Sequence, residues 1–426
     1  MIKRALVFGA GRGKVRAMFR ILLAALALSL PMTAHAAQDP GNGPAQEAAQ
    51  DATPAAVVVA FDTDGVTPLI AQGVRNFESR ELVQFNDPVR IASISKLIMA
   101  LAAMRLVDEG KVDLDADVSD YLGFSVRSPN FPDTPVTLAQ LLSHRAGLRD
   151  AAGYIIPLGE SLEDKLNDPG AWYADAPPGE APFEYANLGS PVVASALEAA
   201  SGERYDALLE RTVFAPLGVK ACVNWIGCSQ DMVARAVALY RHTDEPARDY
   251  PGDLPPDCSI PVAEGVECTL DDYVPGTNAS VFSPQGGVRI GMVDLARIGR
   301  ELMIATDGTF LSETSLNRMR RALAQGRNPE QDFFCAYGIG MQMINSPVDA
   351  CLDKLFEGSM RYFGHSGEAY GLQSGLWFGG DGKSGFAFFR TQAPPPAGGE
   401  DTGGFTEGEK ALIKRAQDQL LKQVAE

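Results

Sequence analysis

Two short stretches near residue 60, Ala55 to Phe61 and Leu69 to Arg75, combine polar/apolar alternation with β-branched side chains, and Asp64-Gly65 lies between them. That pattern predicts two strands joined by a turn. From Ser93 the period changes: Leu97, Ile98, Leu101, Met104 and Leu106 give a broad apolar face and Gly110 supplies a stop, which predicts a central, buried helix. A second helix is predicted from Thr137 through Leu138, Leu141 and Leu142 to His144 and Gly147, and a third from about Pro191 to Ala200. Arg361 to Thr391 returns to strand-like stretches separated at Asp381-Gly382, and Pro394 to Gly404 is a turn-rich connector. Thr406 with Glu409 then reads as a capping box opening an amphipathic C-terminal helix. The order is strands, a long helical block, strands, helix. It predicts an α/β (α+β) fold: an antiparallel sheet flanked by helices, whose two ends in sequence meet in space, with a mostly helical second lobe between them. No internal repeat is visible.

Composition adds location and redox state. The 426 residues are 46% hydrophobic and 21% charged, enough for a large core and unlike a disordered chain. Arg16 and Arg20 precede the apolar run Ile21 to Leu30, followed by Pro31 and Ala34-His35-Ala36. This predicts a signal peptide over residues 1–36, a flexible linker over 37–54 and a folded domain over 55–424, exported to the periplasm or secreted. The basic leader ahead of Met18 leaves Met18 as an alternative start to Met1. No segment is long and apolar enough for a permanent membrane span. Residues 1–36 hold six Lys and Arg and no acid, so their removal takes the net charge from −17 to −23. Such a surface repels nucleic acid, which is excluded as a partner.

Six cysteines fall in sequence-local pairs, Cys222 with Cys228, Cys258 with Cys268, and Cys335 with Cys351. In an exported chain an even count favours disulfides, although sequence alone does not fix the pairing. There is no Cys-x-x-Cys and no His-Glu-x-x-His, so neither a metal nor a cofactor is expected. The Pro-, Asp- and Gly-rich stretch from Arg241 to Pro284 contains Cys258 and Cys268 and reads as a stapled, substrate-facing excursion.

The candidate chemistry starts at Ser93-Ile94-Ser95-Lys96. Residues three apart at a helix start share a face, so Lys96 can reach the Ser93 hydroxyl while Ser95 points elsewhere. A nearby base is what a serine needs to act as nucleophile, and the helix N-terminus favours the negative charge of a tetrahedral intermediate. Ser-x-x-Lys alone is common in a chain of this length. What gives it weight is Tyr185-Ala186-Asn187 and then His365-Ser366-Gly367, in that order and widely spaced.

Together these resemble the three motifs of the serine β-lactamase and penicillin-binding-protein superfamily, and within it the class C β-lactamases and related D-alanyl-D-alanine carboxypeptidases and esterases. The resemblance covers nearly all of residues 55–424. It extends to phrases that look like scaffold, among them Leu141 to Leu148, Gly286-Gly287-Val288, Tyr337-Gly338-Ile339-Gly340 and Gly364 with Gly371. It implies Ser93 as the acylated nucleophile, Lys96 as charge partner and proton acceptor, and Tyr185 as a second acid/base whose phenolate nearby cations stabilise. It further implies substrate contacts from Asn187, His365, Ser366 and Gly367, and an oxyanion hole from the backbone N–H groups of Ser93 and Glu368. The third motif departs from Lys-Thr-Gly: a titratable histidine replaces a permanent cation, which favours a carboxypeptidase or esterase over an efficient β-lactamase. The expected substrate is a small molecule or peptide, either a D-amino-acid peptide, a small ester or a β-lactam. The alternative is a catalytically silent relative that binds peptidoglycan fragments or β-lactams. Oligomeric state is not legible.

Three other patterns are weaker. Gly364-His365-Ser366-Gly367-Glu368 lacks the last glycine of a nucleophile elbow, His144 reads as a structural hydrogen-bonding residue rather than a triad member, and the Gly9 to Gly13 loop lies in the leader.

Overall fold

The computed structural model describes residues 53–247, 258–304, 308–325, 333–348, 351–394 and 404–425, all within one compact unit, Ala49–Glu426. The signal peptide and nearly all of the linker read from the sequence lie outside the described residues.

Among the described residues eleven strands are formed: β1 (Ala56–Asp62), β2 (Val66–Gln72), β3 (Val89–Arg90), β4 (Ala221–Val223), β5 (Val288–Ile290), β6 (Ala324–Gln325), β7 (Ala336–Tyr337), β8 (Gln342–Ile344), β9 (Tyr362–Ala369), β10 (Leu372–Gly379) and β11 (Ser384–Arg390). Eight make one antiparallel sheet in the order β2-β1-β11-β10-β9-β8-β7-β6, and β3-β5-β4 make a small second sheet. The chain ends do meet in space: β1 pairs with β11 from Ala56 opposite Arg390 to Asp62 opposite Ser384. Five helices matter for the site: α1 (Ile94–Asp108), α2 (Leu138–Leu142), α3 (Gly189–Ser201), α4 (Met292–Ile304) and α5 (Glu407–Ala425).

The main sheet is covered on both faces, and the period of two along its strands sorts the side chains between them. Val57, Val59 and Phe61 of β1 join one core with α1 and α4, while Ala56, Val58 and Ala60 join another with Leu412, Ile413 and Ala416 of α5. β11 divides likewise, with Ala387 and Phe389 on the first side and Phe386 and Phe388 on the second. The Thr406–Glu409 capping box forms as the sequence predicts: Thr406 N–H donates to Glu409 Oε2 at 2.8 Å and Glu409 N–H to Thr406 Oγ1 at 3.3 Å.

Several elements differ from their expected extents. β2 occupies Val66–Gln72 rather than Leu69 to Arg75. The Asp62 carboxylate accepts from the N–H groups of Asp64 and Gly65, so the chain reverses at once, and Gly73, at φ 81, ends the strand early. Pro68 is tolerated because β2 is an edge strand. α2 starts at the Thr137 cap but stops at Leu142, because His144 takes a left-handed φ of 55. The middle of the chain contains the β3-β5-β4 sheet as well as helices, and β6, β7 and β8 widen the main sheet; two or three residues are too few to show a period of two. The sulfurs pair Cys222–Cys228, Cys258–Cys268 and Cys335–Cys351.

Candidate active site

The turn from β3 into α1 places Ser93. Ala92 adopts φ 45, a conformation alanine rarely takes, so the chain turns sharply and presents Ser93 as the N-cap of α1. α1 is apolar almost all round and buried along its length, which fixes it between the sheet and the helical lobe. Its two buried polar side chains diverge. Ser95 Oγ accepts from the Val288 N–H at 3.0 Å and is structural. Lys96, 2% exposed, donates from Nζ to Ser93 Oγ at 3.2 Å, to Asn187 Oδ1 at 2.8 Å and to the Gln285 carbonyl at 3.1 Å. Three acceptors match the three donors of an ammonium group.

Tyr185 lies over this cation, its ring centroid 4.6 Å from Lys96 Nζ. Phe334 stacks on the same ring at 4.2 Å with an interplanar angle of 7°, and the His144 ring stands 4.4 Å away. His144 itself is held at Nδ1, which accepts from the Ala186 N–H at 3.3 Å, as its structural reading anticipated. Burial, with the Lys96 charge adding to it, holds His144 well below the usual histidine range.

Asn187 is oriented by Asp150, a residue the sequence reading did not single out. The Asp150 carboxylate accepts from Asn187 Nδ2 at 2.9 Å, from the Asn187 N–H at 2.8 Å and from the Leu188 N–H at 2.9 Å.

The third motif splits between two sides of β9. Ser366 donates its hydroxyl to Gln342 Oε1 at 2.9 Å and, with Gly367 and Glu368, faces an open cleft. Gly367 has to be glycine, because a Cβ there would run into the Ile91 carbonyl of the turn that carries Ser93. That close approach brings the Glu368 backbone and Ser93 to one wall. β8 pairs with β9 over Tyr362–Gly364, so among the described strands the β9 edge beyond Gly364 is left to the cleft. His365 points the other way and is fully buried. Its Nδ1 lies 2.6 Å from the Ser366 carbonyl, which can only accept, so Nδ1 carries the proton; Nε2 therefore accepts from the Tyr337 hydroxyl at 2.8 Å. Burial first and the Lys96 charge second push His365 down to about 3, so the ring is neutral at any working pH.

The cleft measures about 450 Å³. Ser93, Tyr185, Asn187, Ser366, Gly367 and Glu368 line it; Lys96 and His365 do not. Ser259, Ile260 and Pro261 add the wall expected of the stapled excursion, and Phe333, Phe334 and Phe405 an aromatic one. Trp225 and Asn224 also line it, both at positive φ on the short loop closed by Cys222–Cys228. Cys335, Cys351 and Asp353 bring ligand-type atoms together, but the two sulfurs are joined to each other and Asp353 accepts from the Ser346 N–H at 3.0 Å, so the cluster offers no thiolate to a metal.

The β-lactamase family model matches residues 43–405 of this chain. The chain belongs to the β-lactamase family. Its similarity to curated members is partial. The D-alanyl-D-alanine-carboxypeptidase/endopeptidase AmpH of Escherichia coli K12 is 34% identical over 145 residues, 32% of this chain and 37% of AmpH. Esterase EstB of Burkholderia gladioli is 30% identical over 270 residues, 59% of this chain and 65% of EstB. The chain thus spans less than two thirds of either relative's length. Among solved structures, the D-amino acid amidase from Ochrobactrum anthropi SV3 superposes with a TM-score of 0.61 at 19% identity, over 89% of this chain and 97% of that one. A class C β-lactamase from Rhodobacter sphaeroides gives 0.58 at 18% identity, over 88% and 95%. The fold of this β-lactamase-family chain is accordingly β-lactamase/transpeptidase-like, in a family of serine hydrolases.

Proposed function

We propose that this protein is an exported serine hydrolase that forms an acyl-enzyme on Ser93 and hydrolyses an amide or ester. The observation that carries the proposal is the 3.2 Å contact between Lys96 Nζ and Ser93 Oγ at the N-terminus of a buried helix that opens into the cleft. Lys96 first passes one ammonium proton to the Tyr185 phenolate beside it; as the neutral amine it then takes the Ser93 proton while Ser93 Oγ attacks the substrate carbonyl. Tyr185, beside the same cation, hands a proton to the leaving amine or alcohol as the acyl bond breaks. Water then adds to the ester, its proton is taken by the same pair, and the acid leaves with Ser93 restored. The backbone N–H groups of Ser93 and Glu368 hold the oxyanion in both halves, and Asn187 and the Ser366 hydroxyl orient the substrate.

His365 departs from the role its motif implies. Its ring contributes no cation to the cleft, so the carboxylate of a β-lactam meets no fixed charge at this position. This supports a substrate with no carboxylate at that position, a small ester or an amide, over a β-lactam; the names of EstB and AmpH agree with an ester and a D-amino-acid peptide respectively. The signal-like segment over 1–36 and the three disulfides support a hydrolase domain over 55–424 working in the periplasm or outside the cell. Among the described residues no helix is long and apolar enough to cross a membrane.

Intact-mass analysis after exposure to a fluorophosphonate, a penicillin and a p-nitrophenyl ester tests the proposal. An adduct mapping to Ser93 and absent from Ser93→Ala is expected, with the ester or peptide class turned over faster than penicillin. Labelling at another serine overturns the assignment. No adduct at all on folded protein replaces it with the silent binding role.

A further inference from the structure

We infer that Asp150 is a positioning residue for catalysis, acting through Asn187 on Lys96; the inference rests on the reading of Ser93 and Lys96 given above. The juxtaposition is a chain of three hydrogen bonds, Asp150 to Asn187 Nδ2 at 2.9 Å, Asn187 Oδ1 to Lys96 Nζ at 2.8 Å and Lys96 Nζ to Ser93 Oγ at 3.2 Å.

An asparagine amide can face a neighbour with either its oxygen or its nitrogen, and only the oxygen suits an ammonium group. A carboxylate can only accept. By taking the Asn187 NH₂ group, Asp150 leaves Asn187 Oδ1 as the atom that meets Lys96. The same carboxylate accepts the Asn187 and Leu188 N–H groups just ahead of α3, where Leu188, the N-cap, provides no side-chain cap. Asp150 therefore ties the orientation of Asn187 to the start of a helix whose first ten residues are buried. The turn carrying it is braced in turn: Arg149 Nε meets Glu184 Oε1 at 2.6 Å and Lys165 Nζ donates to the Ala152 carbonyl at 2.9 Å. An asparagine at position 150 would place an NH₂ group against donors and free Asn187 to turn its own toward Lys96.

Two consequences separate this from a purely structural cap. Losing the orientation moves Lys96 relative to Ser93, which lowers kcat. Losing the acceptor and the negative charge behind it makes Lys96 easier to deprotonate, which moves the acid limb of the rate profile to lower pH. The titratable groups facing Lys96 are Tyr185, His144, His365 and, through Asn187, Asp150; the two histidines stay neutral, so the limb reports Lys96 and Tyr185 together.

The test is hydrolysis of a p-nitrophenyl ester by the full chain from pH 5 to 9, for Asp150→Asn, Asn187→Ala and the double variant. Asp150→Asn is expected to lower kcat by about 10²-fold, the scale on which a displaced catalytic group is felt, with KM little changed and the acid limb shifted to lower pH. In the Asn187→Ala background the same change is expected to add nothing, because the path it acts through is gone. Wild-type kcat and acid limb in Asp150→Asn, or an equal loss in both backgrounds, overturns the inference. If Asp150→Asn does not fold, Asp150→Ser keeps an acceptor oxygen for the helix start without the charge and goes through the same cycle. Adduct mapping keeps the two claims apart: a label away from Ser93 refutes the proposed function, whereas a label on Ser93 with an additive cycle refutes only the role of Asp150.

Discussion

Lys96 and His365 are both nitrogen bases sealed behind the cleft wall, and they are in opposite states. Lys96 has three acceptors around one nitrogen, an arrangement that suits a cation and places one of its bonds on the Ser93 hydroxyl. His365 has one carbonyl and one hydroxyl and no anion; they suit the neutral ring that burial and the Lys96 charge favour, with Nδ1 donating to the carbonyl and Nε2 accepting from the hydroxyl. Both bases are buried, so burial alone does not distinguish them: three acceptors offset the desolvation of a charge on Lys96, whereas no anion does so for His365, and burial with the nearby Lys96 charge keeps its ring neutral.

The sharpest way to break the comparison is Lys96→Ala. It is expected to lower kcat/KM by about 10³-fold or more across pH 5 to 9, within the range of general acid–base effects, measured with a p-nitrophenyl ester. Activity that survived with a midpoint near neutrality would mean that a histidine carries the proton instead.

A smaller effect is expected from Tyr337→Phe. It removes the donor to His365 Nε2 and leaves a buried acceptor unmet, worth about 1–3 kcal/mol of stability in denaturant unfolding, while kcat stays within a few-fold of wild type. A loss of kcat comparable to that in Lys96→Ala would move the Tyr337–His365 pair into the chemistry.

The smallest effect lies in the pH dependence of stability. Unfolded, His365 takes a proton near its ordinary value; folded, only near about 3. Its contribution to stability is complete above the unfolded value and is lost as pH falls toward the folded one, at up to about 1.4 kcal/mol per pH unit. Burial pushes the carboxyls of Glu198 and Glu409 up to about 7, so these add stability as pH falls from 7 toward 4.5 and mask the trend in wild type. The difference between wild type and His365→Gln isolates the histidine: wild type is expected to lose its advantage from about pH 6.5 downward. A constant difference from pH 7 to 4 would mean that the folded ring takes up its proton as readily as the unfolded one.

The sequence made one half of this comparison legible. Ser93 and Lys96 lie three residues apart on one helix, so local geometry alone brought them together. Tyr185 and Asn187 could be placed only by resemblance, and the side of β9 on which His365 lies could not be read, because a motif gives residue order but not strand facing. Tyr337 reaches His365 across β8, and Asp150 reaches Asn187 from 37 positions away. No periodicity encodes such meetings, since each depends on how turns and sheet order fold the chain back. The same limit shows in α2, whose leucines suggest a longer helix than the left-handed His144 allows.

The pairing of β1 with β11 sets a timetable for folding. Val57 finds its neighbour at Phe389, more than three hundred residues later in synthesis, and α4, which packs on both strands, also comes late. The main sheet cannot close around β1 until almost the whole chain exists, and contacts of such separation form slowly. A nascent chain emerging N-terminus first therefore carries an unfinished sheet with an open edge through most of its synthesis, the kind of exposed strand edge that favours aggregation until the last strands arrive.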